Sequence, residues 1–141
     1  MISQLTVFIE NEKGHLARVC RTIADAGINM RAMFLADTED FGIARIFCDT
    51  PELAEKALSD AGYRAKIVPV VGVRVPDRQG GLAELLEFLD SKDINVEYGY
   101  CFSVNEEFAV DVLKIDYVGI TELLEEQGYI LVKDDELYEV G

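Results

Sequence analysis

Gly14-His15-Leu16 follows an apolar run that ends at Ile9 and opens a stretch of helical periodicity. A glycine between a strand and a helix lets the main chain approach a bound group closely. The amides of Gly14, His15 and Leu16, at a helix start, can receive a carboxylate, and the helix dipole adds to that attraction. Asn29 heads the next strand and can both donate and accept a hydrogen bond. Asn11 is placed to take an ammonium group, so the set has the chemistry of a zwitterion site. The same residue types recur later as Asp77, Gly80-Gly81-Leu82 and Asn95. Plainer readings stay open: Gly14 and Gly80 also suit tight turns, and Asn29 and Asn95 can bond a neighbouring loop. The His15 ring is expected to be satisfied locally, leaving its backbone amide as its contribution.

Other chemistries find little support. His15 is the chain's single histidine, which excludes His-rich zinc sites within one chain. There is no Ser-His-Asp set, no GxxxxGK[ST] phosphate loop and no Rossmann fingerprint. Carboxylates are plentiful, but no pair is placed by its spacing in a recognisable pocket. The expectation is therefore a protein that is not an enzyme, with no cofactor and no metal. Cys20, Cys48 and Cys101 lie far apart without a CxxC and read as reduced, buried thiols.

The 141 residues carry 13 Lys plus Arg against 27 Asp plus Glu, a formal net charge of −14. A chain so acidic, with its basic residues dispersed, repels phosphate backbones and anionic bilayers. Neither nucleic acid nor membrane is expected as a partner. No basic segment followed by an apolar stretch opens the chain, and no apolar run reaches a membrane-spanning length, so a cytoplasmic location is expected. Most of the excess acid falls in the second half. That half suits solubility or a basic partner, and the better balanced first half suits a zwitterion.

These residues are positioned by a repeat. Gly14-His15-Leu16 falls on Gly80-Gly81-Leu82 and Ile28-Asn29 on Ile94-Asn95, each 66 positions apart. Phe41 matches Phe108 at 67, and Gly62-Tyr63 matches Gly128-Tyr129 at 66. Within the first copy Leu5, Val7 and Ile9 alternate as a strand, and Leu16, Val19, Cys20 and Ile23 recur on one helix face. A strand from Ile28 to about Leu35 and another from Phe41 follow. Thr50-Pro51 then starts a helix whose inner face is Leu53, Ala57, Leu58 and Ala61, and a strand covers about Arg64 to Pro69. The second copy repeats this: Val71 to Val75, then Leu82, Leu85, Leu86 and Leu89 on a helix, then strands near Ile94 to Ser103 and Phe108 to Ile115. Ile120, Leu123 and Leu124 mark its second helix, and Ile130 to Lys133 its last strand.

Strand-helix-strand-strand-helix-strand, twice, predicts an α+β protein of two tandem ferredoxin-like βαββαβ units. Each has an antiparallel sheet with its helices on one face. Residues 1–70 form the first unit and 71–141 the second, which ends in a short acidic tail. A unit of about 65 residues buries only some 60% of its surface and is marginal alone. Phe8, opposite Leu5, Val7 and Ile9, and apolar residues on both faces around Met33 and Leu35 call for a second cover. A homodimer is expected.

The segment from Leu5 to Val19, with Asn11-Glu12-Lys13-Gly14-His15-Leu16 and then Gly27-Ile28-Asn29, resembles the start of an ACT domain, the amino-acid-sensing module of metabolic enzymes. It is particularly similar to the regulatory subunits of acetolactate synthase. Asp77-Arg78-Gln79-Gly80-Gly81-Leu82 and Ile94-Asn95 give the second copy the same resemblance, so it covers nearly the whole chain. The family's usual proline is Lys13 in one copy and Gln79 in the other; each loop loses a φ restraint and gains a backbone donor. The leading Asp is kept as Asp77 but is Asn11 in the first copy. The resemblance implies a free amino acid as ligand, held between ACT units by Asn11, Gly14, His15, Leu16 and Asn29 and by Asp77, Gly80, Gly81, Leu82 and Asn95. It also implies allosteric regulation of a metabolic enzyme. The rival reading is a structural dimerisation module with vestigial ligand sites.

Overall fold

A computed structural model describes residues 1–10, 12–37, 41–76, 78–103 and 108–134. Asn11 and Asp77, expected beside the two glycine loops, lie outside these residues, as do residues 135–141 of the expected acidic tail. Ser3–Val68 form one compact unit, and the described residues from Pro69 onward, with Met1–Ile2, form another.

In the first unit, alternation builds β1 (Ile2–Glu10), whose Leu5, Val7 and Ile9 are buried on one face. α1 (His15–Asp25) lays Val19 and Ile23 against that face, with Leu16 packed beside them. β2 (Met30–Asp37), β3 (Phe41–Cys48), α2 (Pro51–Asp60) and β4 (Arg64–Pro76) complete the unit, with strand order β2-β3-β1-β4. β3 runs antiparallel to both β1 and β2, and Ala44, Ile46 and Cys48 join the core. The inner face of α2 differs from the expected one. Pro51, Ala54 and Leu58 are buried, whereas Leu53 is 49% exposed. Pro51 itself packs inward, so positions three and seven beyond it follow, and small Ala54 lets the helix approach the sheet. Thr50 makes no side-chain cap; its part is the backbone bond from Ala54 N–H to its carbonyl at 3.1 Å.

β4 carries the chain from one unit into the next without a break, so the two strands expected on either side of Val70-Val71 are one. The second unit adds α3 (Gly81–Ser91), β5 (Tyr98–Ser103), β6 (Phe108–Lys114), α4 (Ile120–Glu126) and β7 (Ile130–Val132), in the order β5-β6-β4-β7. Val71, Val73, Val75 and Leu113 meet Leu85, Leu89, Ile120 and Leu124 in its core. Leu82 and Leu86, expected inside, are 42% and 38% exposed. β5 starts later than expected because Ile94 closes α3, its N–H bonding the Leu89 carbonyl at 3.0 Å. Each unit thus has the βαββαβ order, with its helices and one sheet face sharing a core. Among the described residues no helix is long and apolar enough to cross a membrane.

The cysteines are not uniformly buried. Cys48 is 1% exposed, Cys20 is half-buried and Cys101 is exposed at the sheet edge. Burial, with Asp49 and Glu52 nearby, pushes the Cys48 thiol up to about 11. Native-state alkylation read by peptide mass spectrometry should therefore label Cys101 readily. Cys48 should react about a hundredfold or more slowly than an ordinary exposed thiol. Equal labelling of the two would contradict this placement.

Candidate functional site

The junction between β1 and α1 is a tight backbone structure. Glu12 N–H donates to the Glu10 carbonyl at 2.7 Å, His15 N–H to that of Glu12 at 3.4 Å, and Arg18 N–H to that of Gly14 at 3.1 Å. The junction between β4 and α3 repeats it 66 residues on: Arg78 to Pro76 at 2.9 Å, Gly81 to Arg78 at 3.2 Å and Glu84 to Gly80 at 2.9 Å. Gly14 and Gly80 cap the two helices with φ of +92° and +85°, a left-handed conformation that glycine adopts without strain. As caps they bring no side chain to the first-turn amides. The turn role of these glycines is real, and it is also what leaves the helix start open to an external anion. The His15 and Gly81 amides are already engaged within the turns, so the expected carboxylate set is smaller than the sequence suggests.

The His15 ring is satisfied locally. Its Nε2 lies 3.5 Å from Glu12 Oε2, its Nδ1 3.5 Å from Arg18 Nη2, and its edge meets Tyr63 with centroids 6.2 Å apart. Ligating atoms of Glu10, Glu12 and His15 lie within 4.8 Å of one another, but both glutamates are exposed. The Glu12–His15 contact already brings two of the three together.

Each unit gathers its own glycine loop: Gly14, His15 and Leu16 in one, Gly80, Gly81 and Leu82 in the other. Asn29 and Asn95 do not join them. Both are exposed and lie beyond the far ends of α1 and α3, helices of 11 residues. At 1.5 Å per residue this separates them from the glycines by about 16 Å. The Asn29 carbonyl instead accepts the Asp49 N–H at 3.4 Å.

A feature that the repeat's glycines did not signal lies in the second unit. Between α3 and β5 is a cleft of about 370 Å³, walled by Leu82, Leu86, Val96 and Leu113. Tyr98, Gly99, Tyr100, Cys101 and Asp111 complete it. Asp111 is 3% exposed, and its Oδ2 has no hydrogen-bond partner among the described residues. Burial pushes its carboxyl above the ordinary carboxylate range, opposed by a hydrogen bond with Cys101. A signal was present in the sequence: Asp111 interrupts the apolar run Phe108-Ala109-Val110-Asp111-Val112-Leu113 where the first copy has Ala44.

The family model for an ACT domain pair matches residues 1–140. A solved structure of a protein from Bacteroides thetaiotaomicron is 35% identical with a TM-score of 0.89, covering 97% of this chain and 95% of that one. The ligand-free regulatory subunit of aspartate kinase from Thermus thermophilus is 16% identical with a TM-score of 0.63, covering 89% and 91%, a likeness of fold alone. The acetolactate synthase small subunit from Thermotoga maritima also matches, at 14% identity and a TM-score of 0.43 over 92% and 95%. A comparison with curated proteins gives no match. With the repeated βαββαβ units, the glycine-capped helices and a family match spanning the chain, the protein belongs to the ACT domain pair family.

Proposed function

We propose that this is a non-catalytic regulatory protein that binds a free amino acid and through it modulates an enzyme of amino-acid metabolism. Residues 1–70 and 71–141 would each supply one ACT unit. The observation that carries the reading is the left-handed glycine cap at Gly14 and again at Gly80, which opens a helix start to a carboxylate in both units. A protein that shares the fold is a regulatory subunit of an enzyme, aspartate kinase. Gly14 and Asn29 sit at opposite ends of one helix, so a site using both must draw Asn29 from an ACT unit of a second copy. Edge strand β2 supports such a homodimer: Met33, Phe34 and Leu35 are 45%, 40% and 48% exposed. The setting proposed is the cytoplasm.

Thermal melting against a panel of the common amino acids tests this. A ligand at about 100 times its Kd adds roughly 2.7 kcal/mol, a midpoint shift of about 5–10 °C for a chain of this size. A shift abolished by Asn29→Ala but not by Asn95→Ala places the working site in the first unit. If no amino acid moves the midpoint, the structural dimerisation module takes its place. Catalytic turnover by the purified chain would overturn the non-enzyme assignment.

A further inference from the structure

We infer that the cleft between α3 and β5 binds a primary ammonium group carried on an apolar tail, with Asp111 as the anion that holds it. This rests on the amino-acid-binding reading above and narrows it to amino acids with apolar side chains.

The internal repeat supplies the comparison. In the first unit the ladder pairs Met33 with Ile46 and Leu35 with Ala44. At the matching places in the second unit, Gly99 pairs with Leu113 and Cys101 with Asp111. Two long side chains have become a glycine and a cysteine, and an alanine has become an aspartate. The space follows: the hollow against Leu16 and Leu35 in the first unit measures about 80 Å³, and the cleft against Leu82 and Leu86 about 370 Å³. Gly99 is held open by its surroundings, since a Cβ there would stand 2.7 Å from Leu113 Cδ2 and 3.1 Å from the Val112 carbonyl oxygen.

The chemistry of the walls selects the occupant. A carboxylate that is 3% exposed, with one oxygen lacking a partner, loses its hydration and regains only the hydrogen bond with Cys101. An ammonium donor entering the cleft supplies a charge-assisted bond to this carboxylate. The leucine and valine walls reward an aliphatic or aromatic tail. Leu82, in the first turn of α3, lines the same cleft. A ligand held by Asp111 therefore lies beside a glycine-capped helix start, where a carboxylate is favoured. An amino acid with an apolar side chain satisfies all three demands, and an apolar amine satisfies two.

The test uses the full chain with four probes: L-leucine, L-phenylalanine, isoamylamine and 4-methylpentanoate, which keeps the leucine tail without the amine. Two signals are read, the melting midpoint and the rate of Cys101 alkylation, because Cys101 lines the cleft. The two amino acids and the amine should raise the midpoint and slow Cys101 alkylation, while 4-methylpentanoate does neither. Asp111→Asn, which preserves shape, should weaken their binding at least about tenfold, the loss of one charge-assisted bond. If L-leucine stabilises Asp111→Asn as well as it does the wild type, or leaves Cys101 equally reactive, the cleft assignment fails while the amino-acid reading stands. If isoamylamine protects Cys101 in an Asp111-dependent way but neither amino acid binds, the cleft assignment stands and the amino-acid reading fails. Binding of none of the four overturns the cleft assignment.

Discussion

Replacing Asp111 by asparagine is expected to stabilise the unliganded protein by about 1–3 kcal/mol at neutral pH, the cost of a buried, incompletely bonded carboxylate. The effect should depend on pH with a definite sign. In the unfolded chain Asp111 titrates near the ordinary value of about 3.9, and in the folded chain burial raises it. Below the unfolded value both states are protonated, and the group contributes nothing. As pH climbs from there through the raised folded value, the native state holds the proton that the unfolded state has released, and stability is lost. The advantage of Asp111→Asn should therefore be small near pH 4 (about the unfolded value), grow across that window and then level off. Urea midpoints of the two proteins at several pH values measure it. A pH-independent difference, or a less stable variant at neutral pH, would show that Asp111 is satisfied as it stands. The expected result means that the unliganded protein carries a carboxylate that lowers its stability, the kind of cost that function imposes on a fold.

Gly81→Ala should act in the opposite direction and comparably strongly. A Cβ at Gly81 would stand 2.6 Å from the Pro76 carbonyl oxygen and 2.9 Å from Val75 Cγ1. The Pro76 carbonyl has little room to move, because it accepts the Arg78 N–H at 2.9 Å. The strain of forcing a methyl group into this junction is worth about 1–3 kcal/mol. The first unit makes the contrast, since His15 occupies the matching position with a half-buried ring on Glu12, Arg18 and Tyr63. His15→Ala removes only such partly solvated contacts and should cost less than about 1 kcal/mol. Denaturant unfolding of the two variants beside the wild type compares the junctions directly. Equal costs would mean that α3 does not start as tightly against its strand as this.

The repeat was legible because glycines do conformational work that few residues share. Gly14 and Gly80 both adopt positive φ, as do Gly62 and Gly128 after the second helix of each unit. The strands were legible where apolar residues alternate around one core, as in Leu5, Val7 and Ile9. Helix α2 was harder to read. The eye follows large Leu53, while the chain turns Pro51 and Ala54 inward because a close approach to the sheet needs small residues. The site was half legible. Residue types marked the glycine loops, but no local pattern shows that an intervening helix holds Asn29 and Gly14 apart. Charge balance pointed to the first half for a zwitterion, whereas the cavity and its carboxylate belong to the second. An inward-facing Asp among valines was the available clue, and it becomes visible only when the second copy is laid on the first at Ala44.

Isothermal titration of the full chain with the amino acid that gives the largest melting shift tests the regulatory reading most directly. Saturable binding is expected, weakened at least about tenfold in Asp111→Asn and strongest for apolar side chains. The absence of saturable heat for every common amino acid, with a folded protein in the cell, would contradict the claim that this ACT domain pair senses an amino acid.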